Sequence, residues 1–180
     1  MRIKEQLKEI ADLTKEIDVE QVEKLAELIR SVKHTGRLFI LGVGGSAANA
    51  SHAVNDFRKI CGIEAYAPTD NVAELTAWTN DVGWASCFDR WLEISKLNEK
   101  DVILIFSVGG GSMTTSINLY NAILYAKKVG AKIGGIVGPT GGKTEKEADV
   151  CVKIPASKEM KTPYSEAFQA IIWHLIAINL

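Results

Sequence analysis

Five short runs, residues 37–42, 63–67, 101–107, 131–137 and 150–154, are largely apolar on consecutive positions, and most are separated by stretches of helical length and period. A strand with one wet face alternates polar and apolar residues; strands apolar on both faces belong to a parallel sheet covered on each side by helices. The pattern therefore predicts a three-layer α/β fold. Two amphipathic helices precede the first strand within residues 1–34. Ile3, Leu7, Ile10, Leu13 and Ile17 recur at helical spacing, and Asp18 with Gln21 reads as a capping box opening a second helix that carries Val19, Val22, Leu25, Leu28, Ile29 and Val32. A last helix, expected over residues 165–180, is apolar on several faces through Phe168, Ile171, Ile172, Trp173, Leu175, Ile176 and Ile178, so it should pack into the core or into another subunit. No repeat, low-complexity tract or linker interrupts the 180 residues, a length that one domain can fill. The chain reads as a single domain over 1–180, with 35–180 forming the α/β core and its C-terminal helix.

The charge balance narrows the partners. Twenty-one Lys and Arg against 22 Asp and Glu give a formal net charge of -1 without a long basic block, which speaks against nucleic acid and an anionic membrane surface. The charged, periodic N-terminal stretch is unlike a signal peptide, and nothing approaches the roughly 18 apolar residues of a membrane span. Cys61, Cys87 and Cys151 are odd in number and far apart, fitting reduced thiols in a cytoplasmic protein better than a disulfide framework or a thiolate metal site.

In such sheets ligands bind beyond the carboxyl ends of the strands, and three of the following loops are glycine-rich. The first, Gly42-Val-Gly-Gly-Ser-Ala47, allows a tight turn and a close approach of backbone to ligand, with a helix N-terminus ready for a phosphate or sugar oxyanion. It also satisfies the loose dinucleotide pattern G-x-G-x-x-G/A. That pattern expects an acidic residue about 20 positions on, at the end of the second strand, where the nearest candidate, Asp70, lies 28 after Gly42. The second, Ser107-Val-Gly-Gly-Gly-Ser112, offers two hydroxyls, three glycines and a helix N-terminus without a basic residue, suited to a phosphate monoester; Ser112 equally suits a plain N-cap. The third, Gly138-Pro-Thr-Gly-Gly-Lys-Thr144, is one residue short of a P-loop and leads into the charged Lys143-Thr-Glu-Lys-Glu-Ala-Asp149, so it reads as a turn.

His52 lies on the helix after the first loop, and Asp56, four residues on, shares its face at about 6 Å. Such a pair can ligate a metal, hold an imidazole for proton transfer, or simply cap a surface. His174 stands inside the apolar last helix between Trp173 and Leu175. It is either a satisfied core histidine or a functional one. Glu166, eight residues earlier, is about 12 Å back along a regular helix, so both reach one centre only if Glu166 sits at or before the helix start.

Taken together, the G-x-G-G-S turn, the helix with His52 and Asp56, Asn80-Asp81, the serine–glycine turn 107–112, and a last helix with Glu166 eight before His174 resemble the sugar isomerase (SIS) domain family, within it the phosphoheptose isomerases. The likeness covers essentially the whole chain. It implies a doubly wound, five-stranded parallel sheet of the flavodoxin-like kind and a homotetramer with active sites between subunits. It further implies that Gly44, Gly45 and Ser46 line the sugar-phosphate site, that Asn80 and Asp81 contact the sugar, and that Ser107 and Ser112 bind phosphate. The family's zinc would be held by His52, Asp56, Glu166 and His174. Departures from the family pattern are Val43 for asparagine, Val108 and Gly109 for threonine and serine, Asp56 for glutamate, Glu166 for glutamine, and Pro163 for an acidic residue.

Aldose–ketose exchange needs a base beside the carbonyl, an acid for the oxygens and stabilisation of the enediolate. Asp56 or Glu166 supplies the base, His174 the acid/base, and a metal of the zinc kind the Lewis acid. The expected activity is conversion of sedoheptulose 7-phosphate, or a similar long-chain sugar phosphate, to D-glycero-D-manno-heptose 7-phosphate. The alternative is a non-catalytic SIS module that senses a sugar phosphate or binds a protein.

Overall fold

The computed structural model describes residues 2–180. Helices α1 (Ile3–Leu13) and α2 (Val19–Arg30) lead into β1 (Leu38–Leu41), α3 (Gly45–Lys59), β2 (Ala65–Tyr66), α4 (Val72–Val82) and α5 (Cys87–Ile94). Then follow β3 (Val102–Ser107), α6 (Ile117–Val129), β4 (Lys132–Val137), α7 (Gly142–Glu147), β5 (Val150–Lys153) and α8 (Lys161–Ile178). The five strands form one sheet, all pairs parallel, in the order β2-β1-β3-β4-β5. Each predicted apolar run contains one strand.

The absence of alternation in those runs follows from the packing. On one face Leu38, Ile40, Val102, Leu104 and Phe106 meet Leu25 and Ile29 of α2, Ala53 and Phe57 of α3, and Phe168, Ile172 and Trp173 of α8. On the other, Phe39, Leu41, Ile103 and Ile105 meet Phe88 and Leu92 of α5 and Leu119 and Ile123 of α6. Successive side chains point to opposite faces, so burial on both makes every position apolar.

Three element boundaries differ from the sequence reading. The last helix starts at Lys161, four residues before the expected start, with Pro163 in its first turn, where the missing N–H would have had no intrahelical partner. Helix α6 begins at Ile117 because Ser112 closes a local turn, its Oγ accepting from the Thr115 N–H at 2.9 Å. The stretch after Gly141 forms the six-residue α7 where a turn was expected. The capping of α2 is as read: Asp18 Oδ1 accepts from the Gln21 N–H at 3.1 Å. No helix among the described residues is long and apolar enough to cross a membrane.

Candidate active site

The strand order reverses between β1 and β3, and an open parallel sheet offers its ligand crevice outside the carboxyl ends of the two strands flanking that reversal. A cavity of about 310 Å³ lies there. The turn after β1 contributes Val43 and Ser46, and the turn after β3 contributes Ser107, Val108 and Gly109. Thr115 and Ser116 before α6, and Lys161 and Thr162 at the start of α8, complete it. A larger depression of about 570 Å³ opens at the opposite end of the strands, but Arg37 there is already committed to the buried Asp101, 2.7 Å away.

Each glycine turn is shaped by backbone approach. A Cβ on Gly42 would run into the Ser46 carbonyl and the Ala47 nitrogen, and Gly44 caps α3 with φ +64°, so only glycines allow β1 to turn directly into the helix. Gly45 begins α3, and its Cα rests against the Glu166 carboxylate. Ser46 is buried and faces the cavity. Ser107 Oγ accepts from the Gly110 N–H at 3.0 Å, which leaves the hydroxyl proton free. Ser112 is spent on its own turn, and Asn80 and Asp81, on the exposed end of α4, bond to each other at 2.9 Å; none of these three lines the cavity.

Helices α3 and α8 run side by side in the same direction. Asn49 Nδ2 donates to the Glu166 carbonyl at 2.9 Å and to Gln169 Oε1 at 3.2 Å, and further along Cys61 Sγ donates to the Ala177 carbonyl at 3.2 Å. Between these ties the pairing brings three predicted residues together. Asp56 Oδ2 lies 3.9 Å from His52 Nε2 and 3.7 Å from His174 Nε2, and the ligand atoms of all three lie within 4.8 Å of one another. The imidazoles meet edge to face at 5.1 Å, with the Trp173 indole against both. His174 Nδ1–H donates to the Ala170 carbonyl at 2.7 Å, which directs the Nε2 lone pair to the group. Asp56 is held by Asn55 Nδ2 at 2.8 Å and is largely buried, while His52 remains open to solvent.

Two imidazole nitrogens and a carboxylate oxygen, with an oriented histidine and an open side, are a donor set that fits a catalytic zinc or similar divalent ion. Glu166 does not join this group within the chain. It sits in the sixth position of α8, level with Gly45, two turns before His174. The cysteines offer no competing nucleophile: burial pushes the Cys61 and Cys87 thiols up and the Cys151 thiol to about 12.

Sequence reasoning missed Thr115, Ser116, Lys161 and Thr162 as cavity residues, and Asn49 and Gln169 as the tie between the helices. No local motif marks them, because each acts through an element distant in sequence.

Residues 4–138 match the SIS domain family. The chain belongs to that family. Among curated relatives, the phosphoheptose isomerase of Aneurinibacillus thermoaerophilus is 32% identical over 88% of this chain and 77% of its own length. That of Sulfurimonas denitrificans is 32% identical over 97% and 91%. The solved phosphoheptose isomerase of Neisseria gonorrhoeae superposes with a TM-score of 0.86 at 25% identity, covering 98% of this chain and 95% of that one. In this SIS domain the apolar Val43 and Val108 line the cavity.

Proposed function

We propose that the protein is a metal-dependent aldose–ketose isomerase of sugar phosphates, with sedoheptulose 7-phosphate as substrate and D-glycero-D-manno-heptose 7-phosphate as product. The convergence of His52, Asp56 and His174 across the seam between α3 and α8 carries the reading, and the phosphoheptose isomerase relatives support it.

The substrate's phosphate lies in the cavity between the turns after β1 and β3, where Ser46 and Ser107 donate to it, with Gly44 and Gly45 allowing close approach. Its carbonyl end extends towards α3 and α8. When bound by His52, Asp56 and His174, a divalent metal such as zinc supplies Lewis-acid polarisation of the carbonyl. A carboxylate takes the proton from the adjoining carbon; Asp56 and Glu166 are the two candidates, Glu166 resting against the glycine turn. With its Nδ1–H committed to the Ala170 carbonyl, His174 has only Nε2 to offer, so it either holds the metal or exchanges protons with the sugar oxygens as the enediolate forms and collapses, not both at once. Asn80, Asp81 and Ser112 take part only if the substrate reaches beyond the cavity or the turns close over it.

A homotetramer with sites between subunits belongs to the same proposal. The exposed apolar face of α8, with Ile171, Leu175 and Ile178, supports it by offering surface to bury, and would let Glu166 of one chain serve a neighbouring centre. Light scattering gives the assembly mass, and a monomer at micromolar concentration rejects it.

Metal analysis combined with an isomerisation assay on sedoheptulose 7-phosphate tests the activity. Bound metal and turnover are expected. A protein that holds no metal and converts no sugar phosphate, yet binds one, is instead the sensor module, a reading favoured by the loss of side-chain donors at Val108 and Gly109.

A further inference from the structure

Lys161 is an oddly placed cation. As the first residue of α8 it stands at the positive end of an 18-residue helix dipole, where basic residues are unfavourable. It is partly buried, and among the described residues it forms neither an ion pair nor a hydrogen bond. Its position therefore costs the folded chain something, and among the described residues no polar partner offsets that cost.

The surroundings indicate what completes it. Lys161 lines the same cavity as Ser46 and Ser107. Ser46 is 2% exposed and its hydroxyl makes no hydrogen bond among the described residues; Ser107 is 5% exposed and retains a free hydroxyl proton. Ser116, also lining the cavity, is held in the left-handed region at φ +53°, one of two non-glycine residues at positive φ among the described residues. Strain of this kind persists where the surroundings enforce it, commonly at ligand sites. Val108 and Gly109, at the centre of the turn, bring no side-chain donor and no charge.

We propose that Lys161 is the charged anchor of the phosphate site and sets the preference of this cavity for a dianionic phosphate monoester over an uncharged sugar or a monoanionic carboxylate. The inference rests on the reading of the cavity as the phosphate end of the substrate site. The ammonium supplies the charge, the Ser46 and Ser107 hydroxyls supply neutral donors, and the anion offsets both the partly buried cation and the unfavourable position on the helix dipole. The signal was hidden from sequence because the cation comes from the last helix and not from the glycine turns.

The test uses the full-length protein with Lys161→Met, Lys161→Arg and, as a control for bulk charge, Lys158→Met on the exposed segment before α8. Two readouts are taken: binding of inorganic phosphate by calorimetry, without turnover, and steady-state isomerisation of sedoheptulose 7-phosphate. Lys161→Met should weaken phosphate binding by about 10- to 100-fold, the range of a charge-assisted hydrogen bond, and lower kcat/KM chiefly through KM. Lys161→Arg should recover most of both, and Lys158→Met should change neither. If wild-type protein binds phosphate through Lys161 but converts no sugar, the anchor stands and the isomerase reading falls. If phosphate binding and KM are the same in Lys161→Met as in wild type, or wild-type protein turns over substrate while Lys158→Met has the larger effect, the anchor is overturned.

Discussion

His174 Nε2 stands 3.7 Å from Asp56 Oδ2, across the seam between α8 and α3, and His52 Nε2 approaches the same oxygen at 3.9 Å. The contact joins the last helix to the first helix of the sheet layer and makes a three-donor group from residues distant in sequence. Replacing His174 by Ala should lower retained metal after dialysis and reduce turnover by at least about 100-fold, since removal of even an outer partner of a metal ligand typically costs 10–100-fold. His174 is 44% exposed, so the unfolding midpoint should barely move. Full metal content and full turnover in this variant would remove the group from the mechanism.

Asn49 holds the two helices at the level of Glu166 and Gln169. Gln169 is fully buried, and Asn49→Ala leaves its Oε1 without the amide donor. An unsatisfied buried acceptor costs about 1–3 kcal/mol, so urea unfolding should report a stability lower by that amount and an earlier midpoint, and turnover should fall as His174 loses its registry with Asp56. An unchanged midpoint would show that the amide pair is expendable.

Gly110 has φ +72°, and a Cβ there would strike the Gly141 carbonyl. Its own carbonyl accepts from the Thr144 Oγ1 at 2.8 Å and the Thr144 N–H at 2.9 Å, tying the turn after β3 to α7. Gly110→Ala should therefore cost about 2 kcal/mol or more, from left-handed strain and overpacking together. Phosphate binding should weaken in parallel, measured by calorimetry on the folded variant.

At the other end of the sheet, Asp101 is 1% exposed and accepts from the Arg37 Nη2 at 2.7 Å, the Arg37 N–H at 2.9 Å and the Asn98 N–H at 3.1 Å. Arg37→Met leaves a buried carboxylate without its cation, a change that costs about 3 kcal/mol. Chemical denaturation should report that loss while kcat and KM of the folded enzyme stay at wild-type values, because the pair lies away from the cavity. A fall in kcat would connect this end of the sheet to the reaction.

Hydrogen bonds from Lys127 and Lys143 draw the Glu147 carboxyl from its ordinary 4.5 down to about 2. A depressed folded-state value means the unfolded chain binds the proton first. The contribution is therefore complete above about pH 4.5 and is lost as pH falls towards 2. It is modest, since both lysines reach the carboxylate at the surface and salt screens the pair. Glu147→Gln should lower stability slightly at pH 7, where the contribution is complete, and converge on wild type as pH falls towards 2, so that the acid limb between those values is shallower; an identical profile would assign that limb to other carboxylates.

Much of the molecule was legible from residue patterns. The five strands lie inside the five apolar runs, the capping box at Asp18 is formed, and the His52/Asp56 spacing places both side chains on one face of α3. These features are local: they depend on side-chain period, turn chemistry and caps, which neighbours in sequence decide. The errors also have local causes. The last helix was expected from residue 165 but starts at Lys161, since its first turn tolerates Pro163, and α6 starts only at Ile117, after Ser112 has closed its own turn.

The sequence by itself determined the layer architecture, the glycine turns at the strand ends and the titratable groups available for chemistry, because periodicity and backbone freedom are properties of short segments. The tertiary structure alone decided which of those groups meet. The parallel packing of α3 on α8 put His174 with Asp56 and kept Glu166 two turns away beside Gly45, and the early start of α8 delivered Lys161 to a cavity built from the turns after β1 and β3. Helix registry is set by core packing summed over many residues, among them Phe57, Phe168 and Trp173, and no single motif encodes it.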